Sequence, residues 1–351
     1  MDNPLTDIII PVWNKPVETR NCLVNLINHS PNARFIMVDN GSDRDTERML
    51  EEFAEGLDHR AILLRNDVNR GYVPAVNRGL ARSDARYAVV VNSTSIVTES
   101  WLEPLTSFAA GRRDAGIIVP RLVRGAGRKP SGRSRATAAP IEADHPSFAA
   151  MLITKEAYDI MGGLDDEMDG GLWCLRDLSR RAYRAGFHTF RIEAGIVAYE
   201  DDILLGSVER RNLSLQRSIA LYSERWGESR SYCIHLPKGA EMNILGQRLE
   251  ILHQGARQGH SFTILTHARL FRELTKAGFN RLHENIRFLP IPLFFEARAI
   301  AKALASDDPA MAGAQPVTGI DGIPFPAGIK ALPFAELEQM IVKAGEEKYG
   351  A

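Results

Sequence analysis

Short polar side chains follow four successive apolar runs of the sequence, each just beyond the end of a run. Asn14 follows the first run, Asp39 the second, Asn69 the third, and Ser93 and Thr94 the fourth. The Asp39 carboxylate can accept a hydrogen bond from the imide N–H of a uracil or thymine ring, and backbone amides at helix starts can hold phosphate. Such residues also cap helices and form turns, but their recurrence at matching positions favours one ligand-binding edge.

The elements that must position these side chains alternate between strand and helix. The apolar runs are continuous, as expected for strands covered on both faces, at Asp7–Val12, Arg34–Val38, Arg60–Leu64, Tyr87–Val91 and Ala115–Val119. Apolar residues three and four apart predict helices at Glu18–Ile27 and Thr46–Phe53, the second of them capped by Ser42 or Asp43. This alternation predicts an α/β fold with a doubly wound, mostly parallel, Rossmann-like sheet, and ligands bind at the carboxyl ends of strands in such sheets.

A basic segment interrupts this alternation. Arg121–Pro140 carries six basic residues and no acidic one, and it is rich in glycine, serine and proline. It is predicted either as a solvated, mobile loop or as a lid that meets an anion. After it, the sequence predicts a helix near Lys155–Met161, a turn at residues 162–166, a helix from about Arg176 to Ala185 and a short strand near Ile192–Ala198.

The pattern changes beyond about Asp202, so we expect a first domain over residues 1–227 and a C-terminal extension over residues 228–351. Helices are predicted at Val208–Trp226, Ala240–Gln258, Ala268–Ala277 and Phe334–Glu346, and strand-like runs at Ser261–Thr266 and Asn285–Pro290. The extension fits either a helical appendage or a small α/β unit, and the sequence does not separate the two.

Composition excludes several classes of protein. The 351 residues include 43 basic and 44 acidic ones, so the net charge of −1 argues against bulk electrostatic binding to nucleic acid. The three cysteines lie far apart, which argues against a disulfide scaffold or a zinc site. The sequence starts without a basic segment, and no apolar stretch reaches the roughly 18 residues of a membrane helix. We therefore expect a cytoplasmic protein without a secretory leader or transmembrane segment.

Six motifs, in this order along the chain, resemble those of the family 2 glycosyltransferases, which have the GT-A fold. They are IIIPVWN, FIMVDNGSDRDT, NRGYVPAVNRGL, ESWLEPL, MLITKEAYDIMGGLDDE and NLSLQRSIALYSERWG. The resemblance extends from the first strand to the helix that ends near Trp226. It implies transfer of a sugar from a nucleotide donor to an acceptor hydroxyl, usually with inversion.

The resemblance also implies a donor site. The positions that match the family's base- and ribose-contacting edge, its third-strand loop and helix, and the end of its fourth strand are Pro11, Val12, Asn14, Asp39, Asn69, Gly71, Asn77, Ser93 and Thr94. The expected donor is a uridine- or thymidine-diphosphate (UDP or dTDP) sugar. The expected acceptor is a hydroxyl of a glycan or another molecule.

Three positions depart from the family pattern. Asn92–Ser95 replaces the acidic motif that holds a divalent metal, Cys174 and Leu175 replace a Glu–Asp pair that supplies the catalytic base, and Tyr199 replaces a late metal-ligand histidine. Hydroxyl groups are poor Mg²⁺ ligands beside carboxylates, and a positioned base contributes about 10²- to 10⁴-fold in rate. We therefore predict no metal ligands at this edge and little or no dependence on a divalent metal.

Other side chains could replace the missing groups. The cations of the Arg121–Arg135 segment could pair with diphosphate oxygens in place of a metal. Replacement bases could come from the acidic residues of the second half of the domain, which are Asp165, Asp166, Glu167, Asp177 and Glu200. We name Asp177 and Glu200 as the catalytic candidates, although Asp177 also suits a helix cap and Glu200 a solvated acidic turn.

Two hypotheses remain open from the sequence. The first is an active glycosyltransferase of glycan or polysaccharide biosynthesis. The second is an inactive relative that binds a nucleotide, a glycan or a protein partner. A nucleotidyltransferase is disfavoured, because the sequence contains no glycine-rich phosphate loop and no acidic metal pair at these strand ends. The oligomeric state is not indicated.

Three further features have plainer explanations. His253, His260 and His267 are spaced seven apart, too far along a helix to share a metal, and Gly255 and Gly259 argue against a continuous helix. Cys174 fits a small buried residue better than a catalytic thiol. Leu289–Leu304 fits either an interfacial membrane helix or a helix packed on a core, so peripheral membrane contact stays open.

Overall fold

The structure is a computed structural model that describes residues 5–125, 139–169, 171–200, 208–237, 242–292, 296–305, 311, 313–320 and 323–350. Most of the predicted basic loop, residues 126–138, lies outside the described residues, as does the segment 201–207 after Glu200. The chain divides into two compact units, one formed by Met1–Pro140 and His145–Tyr222 and the other by Ile141–Asp144 and Ser223–Ala351.

Strands and helices alternate through both units. In chain order, the strands are β1 Thr6–Val12, β2 Arg34–Asn40, β3 Ala61–Asn66, β4 Tyr87–Val91, β5 Ile96–Val97, β6 Ala115–Val119, β7 Leu122–Arg124, β8 Ile141–Glu142, β9 Ala150–Thr154, β10 His188–Arg191, β11 Val197–Tyr199, β12 Ser231–His235, β13 Ser261–His267, β14 Ile286–Ile291, β15 Gln315–Thr318 and β16 Leu332–Pro333. The helices are α1 Pro16–His29, α2 Arg44–Leu57, α3 Tyr72–Arg82, α4 Glu103–Gly111, α5 Lys155–Met161, α6 Trp173–Arg184, α7 Val208–Trp226, α8 Met242–Arg257, α9 Ala268–Lys276, α10 Glu296–Leu304 and α11 Phe334–Tyr349.

The main sheet of the first unit is mostly parallel, as predicted. Its strand order is β3-β2-β1-β4-β9-β6-β10. β1 pairs in parallel with β2 and β4, β2 with β3, and β6 with β10, whereas β9 runs antiparallel to β4 and β6. The carboxyl ends of β1 to β4 therefore meet at one edge. β5, β11 and β7 form a separate three-stranded sheet.

Burial on both faces explains the continuous apolar strands. Ile8, Ile9 and Ile10 of β1 are all fully buried, so consecutive side chains, which point to opposite faces, all lie in a core. Gly79 of α3 lies directly against Ile9, where a Cβ would overlap the isoleucine side chain. The absence of a side chain at this glycine thus lets α3 approach β1 closely.

Helix α6 begins at Trp173 rather than at the predicted Arg176, so Asp177 lies inside the helix and does not cap it. The Asp177 side chain is fully buried and accepts a hydrogen bond from Arg181 Nε at 2.7 Å. The Arg181 guanidinium also donates to the carbonyl oxygens of Met161 and Gly163, at 2.5 and 2.7 Å. This ion pair ties α6 to the end of α5 and to the glycine turn after it.

The C-terminal unit is an α/β domain, which decides between the two architectures left open by the sequence. Its strands form one parallel sheet with the order β14-β13-β12-β15-β16. Helices α8 and α11 contribute Leu249, Leu252, Leu337 and Ile341 to its buried core. Glu142 of β8 is buried and forms two 2.7 Å hydrogen bonds with Arg257.

The predicted strand near Ile192–Ala198 is wrong in its placement. Because β10 ends at Arg191 and β11 begins at Val197, residues 192–196 lie between two strands, and only Val197 and Ala198 of the predicted run belong to a strand. Gly195, with φ of +68°, turns the chain there, and a Cβ at this position would overlap the backbone of Trp101. An apolar run interrupted by a left-handed turn was therefore mistaken for one strand.

The three histidines spaced seven apart do not lie on one helix, in agreement with the sequence analysis. His253 lies on α8 with its Nε2 3.0 Å from Glu142 Oε2, His260 follows the helix, and His267 ends β13. The described part of the Leu289–Leu304 run consists of the end of β14 and helix α10. Across the described residues, no helix has the length and apolar composition of a membrane span.

Replacing the acid of the buried pair should destabilise the fold. We expect Asp177→Ala to lower the free energy of unfolding by about 3–5 kcal/mol, because it leaves the charge of Arg181 uncompensated in a largely buried place. The matched control is Asp159→Ala, which breaks an exposed pair of the same i,i+4 spacing with Lys155 and should cost less than about 0.5 kcal/mol. Urea unfolding followed by circular dichroism measures both, and equal small effects would contradict the structural role of Asp177.

Candidate functional site

The loops after β1 and β2 are locked together by hydrogen bonds at the predicted edge. The Asn14 N–H donates to Ser42 Oγ at 3.0 Å, and the Asp43 N–H donates to Asn14 Oδ1 at 2.8 Å. Asp43 then caps α2 by accepting from the Thr46 N–H at 2.9 Å. Asn14 and Lys15 adopt left-handed backbone conformations, with φ of +55° and +57°, which asparagine tolerates better than most residues. Asn14 thus joins the two loops into one rigid wall.

Asp39 lies at the base of this wall. Its side chain is 1 % exposed, and its Oδ1 accepts the Ser42 N–H at 3.0 Å. Arg65 Nε, on the neighbouring strand β3, lies 4.0 Å from Oδ2. The adjacent Pro11 and Val12 of β1 are buried in the core. A carboxylate is therefore held at the carboxyl edge of the sheet with one oxygen committed to the loop backbone.

Three asparagines hold the loop after β3. Asn40 Nδ2 donates to Asn69 Oδ1 and to the Gly71 carbonyl, both at 2.9 Å. Asn66 Nδ2 donates to Asn40 Oδ1 at 2.8 Å, and Asn69 Oδ1 also accepts the Gly71 N–H at 2.9 Å. The predicted donor-site residue Asn69 therefore shapes the loop that leads into α3, whereas Asn40 and Asn66 were not among the predicted site residues.

Asn77 clamps a neighbouring turn. Its Nδ2 donates to the Leu164 carbonyl and its Oδ1 accepts the Leu164 N–H, both at 2.8 Å. The same Nδ2 lies 2.5 Å from Asp166 Oδ1. Both polar atoms of the predicted donor-site residue Asn77 are engaged in positioning the glycine turn and the acidic residues after it.

The turn after β4 is where the family resemblance places a metal site. Asn92 Oδ1 accepts from both the N–H and the hydroxyl of Thr94 at 3.0 Å, and Ser95 Oγ donates to the Ala149 carbonyl at 3.0 Å. Ser93 and Thr94 are half-buried. The turn offers no carboxylate, and the described ranges contain no group of three histidine, cysteine or acidic side chains placed to hold a metal. These donors do not suit Mg²⁺ or Mn²⁺.

The candidate replacement bases occupy different surroundings. Asp165 Oδ1 accepts the Glu167 N–H at 2.9 Å, and Glu167 lies 3.6 Å from Arg217 in an exposed pair. Asp177 is held in the ion pair with Arg181, and Glu200 is exposed just after β11. The structure therefore does not bring Asp177 and Glu200 together, and it gives Asp177 a structural contact.

Cys174 is fully buried at the start of α6, as the packing interpretation predicted. Burial raises the pKa of its thiol strongly, and the nearby charge of Asp169 adds to the rise. A thiol in this environment stays protonated at neutral pH and is a poor nucleophile.

Sequence reasoning missed Asp169, which lies between the 3₁₀ turn Asp166–Met168 and α6. The Val73 N–H of α3 donates to its carboxylate. Asp169 Oδ2 lies 2.8 Å from the position that a Cβ of Gly71 would occupy, so the glycine makes room for it. Burial raises the pKa of Asp169 to about 6, the Val73 hydrogen bond opposes this rise, and the charge of Asp166 adds to it. Asp169 belongs to none of the motifs, so the sequence carried no signal for it.

Two members of the predicted basic lid are described. Arg121 precedes β7 and is half-buried, and Arg124 is the exposed last residue of that strand. The other cations of this segment, Arg128, Lys129, Arg133 and Arg135, lie outside the described residues.

Part of the first unit is similar to a known family of proteins. Residues 7–176 match the model of glycosyl transferase family 2. An uncharacterized glycosyltransferase of Haemophilus influenzae is 27 % identical over 110 residues, which are 31 % of this chain and 34 % of that protein. The glycosyltransferase AglE of Haloferax volcanii is 27 % identical over 111 residues, 31 % of this chain and 36 % of that protein. The chain thus spans about a third of the length of these relatives.

Solved structures share the fold. A mannosyltransferase of Pyrobaculum calidifontis, solved in complex with GDP-Man and Mn²⁺, aligns with a TM-score of 0.50 and 16 % identity over 64 % of this chain and 65 % of that chain. GalNAc-T7, solved with UDP, GalNAc and Mn²⁺, aligns with a TM-score of 0.52 and 15 % identity over 63 % of this chain and 48 % of that chain. Residues 7–176, just under half of the chain, therefore resemble glycosyl transferase family 2, and the chain shares the GT-A type of fold with these solved structures.

Proposed function

We propose that this protein is a glycosyltransferase that moves a sugar from a UDP- or dTDP-sugar to an acceptor hydroxyl, in the biosynthesis of a glycan or polysaccharide. The observation that carries the proposal is the buried Asp39 carboxylate, held beside Asn14 at the carboxyl edge of the sheet of a domain that resembles family 2. Ligands of open α/β sheets bind at this edge. The family match and the edge geometry support the same assignment.

The chemistry of Asp39 supports a pyrimidine base with an imide. A carboxylate only accepts hydrogen bonds, and the N3–H of uracil or thymine is a donor, whereas N3 of cytosine is an acceptor. Because Oδ1 of Asp39 holds the Ser42 N–H, Oδ2 is the oxygen that we assign to the base. Asn14 contributes the adjoining wall for base and ribose, and the buried residues Pro11 and Val12 support this wall from the core.

The sugar diphosphate then extends toward the loops after β3 and β4. Asn69 and Gly71 shape the first of these loops. Ser93 contributes a hydroxyl at the second, where the N–H and the hydroxyl of Thr94 donate to Asn92 Oδ1. We propose that these polar groups, with cations such as Arg121, bind the diphosphate. Arginine pairs bidentately with phosphate oxygens.

We propose that transfer needs little or no divalent metal. The two solved structures named above contain Mn²⁺, but the turn after β4 in this chain offers only amide and hydroxyl oxygens, of which Asn92 Oδ1 and Ser95 Oγ are already hydrogen-bonded.

The three cysteines of the chain are unpaired thiols, which supports a reducing compartment and the cytoplasm as the site of the reaction.

Changing the acceptor pattern at Asp39 should change nucleotide preference. We expect Asp39→Asn to weaken UDP binding by about 10- to 100-fold, because a hydrogen bond to a charged group contributes about 1.5–3 kcal/mol. The asparagine can still accept the Ser42 N–H, so the loop should keep its shape. CDP binding should fall less than UDP binding, because the amide NH₂ can donate to N3 of cytosine. Isothermal titration calorimetry with UDP, dTDP, CDP and GDP measures these changes.

The matched control is Asp67→Asn, at an exposed position after β3 on the same edge. It removes the same charge without touching the proposed base site, so UDP affinity should stay near the wild-type value. A uniform loss with all four nucleotides in Asp39→Asn, or an equal loss in both variants, would contradict the base assignment.

The metal proposal predicts resistance to chelation. We expect release of UDP from UDP-sugars to continue at an unchanged rate in excess EDTA and to gain nothing from added Mn²⁺, because the turn after β4 offers no carboxylate ligand. A coupled assay of UDP release measures this, with a Mn²⁺-dependent glycosyltransferase as the control for complete chelation. Activity abolished by EDTA and restored by Mn²⁺ would reject the proposal.

The alternative, an inactive relative that only binds a nucleotide, a glycan or a protein, is supported by the loss of the family's acidic pair at Cys174 and Leu175. The two functions differ in one measurable respect. Steady UDP release that disappears in Asp39→Ala would eliminate the binding-only alternative, and UDP binding without turnover would favour it.

A further inference from the structure

Loss of the family's acidic pair leaves the transfer reaction without an assigned base, and most acidic side chains near the site are already committed. Asp166 Oδ1 accepts from Asn77, Asp165 caps the 3₁₀ turn, and Asp177 pairs with Arg181. Glu167 and Glu200 are exposed to solvent. Asp169 differs from these acidic residues because its carboxylate is partly buried and desolvated.

One oxygen of the Asp169 carboxylate, Oδ1, is buried without a hydrogen bond. Oδ1 is shielded from solvent and has no hydrogen-bond partner among the described residues. An unsatisfied buried acceptor costs about 1–3 kcal/mol, so a hydrogen bond donated to Oδ1 would be favourable. An acceptor hydroxyl is a donor of this kind.

A cavity of about 510 Å³ lies beside Asp169 and belongs to the first unit. Its lining combines acidic, apolar and basic side chains, which are Asp166, Glu167, Asp169, Leu213, Ser214 and Arg217. The volume lies in the range of small-molecule sites. The combination of one leucine side chain with several polar groups suits a sugar or another polyhydroxylated acceptor.

The position of Asp169 connects this cavity to the donor edge. Its carboxylate is anchored by the Val73 N–H in the first turn of α3 and lies against Gly71, in the loop that follows β3. The same loop is joined through Asn69 to Asn40 at the end of β2. Asp169 therefore lies between the strand ends that carry the proposed donor site and the cavity.

We propose that Asp169 is the general base of the transfer reaction and that the cavity beside it receives the acceptor, an inference that rests on the function proposed above. The acceptor O–H bond breaks and its proton passes to Asp169 Oδ1. The oxygen lone pair forms the new bond to C1 of the sugar, and the bond from C1 to the diphosphate oxygen breaks. Its electron pair leaves with the nucleoside diphosphate, and the proton on Asp169 is released to solvent afterwards.

The electrostatics of the site suit this role. The charged or titratable groups around Asp169 are Asp166 on the preceding turn, Cys174 on α6, and Glu167 and Arg217 across the cavity. Burial and Asp166 raise the pKa of Asp169 to about 6. At pH 7 and above, such a group is mostly ionised, yet it is a stronger base than an ordinary aspartate with a pKa near 4.

The test compares the wild type with Asp169→Asn, using UDP-glucose, UDP-galactose and UDP-N-acetylglucosamine as donors and methyl glycosides or water as acceptors. We expect kcat for UDP release to fall by about 10²- to 10⁴-fold in Asp169→Asn, the contribution of a positioned base, with donor affinity unchanged by calorimetry. The wild-type rate should rise with pH through an apparent pKa near 6, and this limb should be absent from the residual activity of the variant.

The matched control is Asp166→Asn, which lines the same cavity and can still accept the hydrogen bond from Asn77. Because it removes the negative charge that raises the pKa of Asp169, the acidic limb of the remaining activity should move to lower pH. A loss of fold alone would change both variants alike and would not move the limb.

The outcomes separate this inference from the proposed function. Turnover and a pH limb unchanged in Asp169→Asn would overturn the base assignment and leave the glycosyltransferase in place. Absence of both donor binding and turnover in the wild type would overturn the proposed function. Donor binding without UDP release would overturn the base assignment together with transfer. Carbon NMR of the protein with labelled aspartate supplies an independent readout. The resonance that is absent from Asp169→Asn belongs to Asp169, and a titration midpoint near 4 for this resonance would also overturn the inference.

Discussion

The constraint on which the site depends is a carboxylate buried at the end of a parallel strand. Moving a charge out of water is expensive unless fixed dipoles or counter-charges replace the solvent. Asp39 receives the Ser42 N–H and the nearby Arg65 guanidinium. Since Ser42 also accepts the Asn14 N–H, satisfying this one charge fixes the loops after two strands. The geometry of this sheet edge therefore follows from the groups that compensate the buried charge of Asp39.

Periodicity was sufficient for several elements of the first unit, and the strands among them, β4 and β6, are buried along their whole length. β4 and β6 begin and end at the predicted residues, and α5 and α7 likewise. Where the prediction was wrong, a local backbone feature had overridden composition. Gly195 divided an apolar run, and α6 started without a side-chain cap, four residues before the acidic residue expected to provide one. The sequence showed the apolar pattern but not the tertiary contacts that select the turn.

The candidate site was less predictable than the fold. Strand-end positions such as Asn14 and Asp39 follow from topology alone, since parallel strands bring their carboxyl ends together. Whether a polar atom is then available depends on its partners in space. Asn77 is committed to Leu164 over a separation of 87 residues, and Asp177 to an ion pair inside a helix. Asp169 acquires its properties from burial and from Asp166, neither of which a single sequence displays.

The residues at the start of α6 contribute to the environment of Asp169. Cys174 stays neutral because burial raises the pKa of its thiol, and Leu175 is fully buried. These neutral side chains add no negative charge to those near Asp169, which lie on Asp166 and, across the cavity, on Glu167. Burial raises the pKa of the Asp169 carboxyl, and the charge of Asp166 adds to the rise. The role proposed for Asp169 therefore depends on desolvation, which tertiary packing gives to a residue outside the recognised motifs.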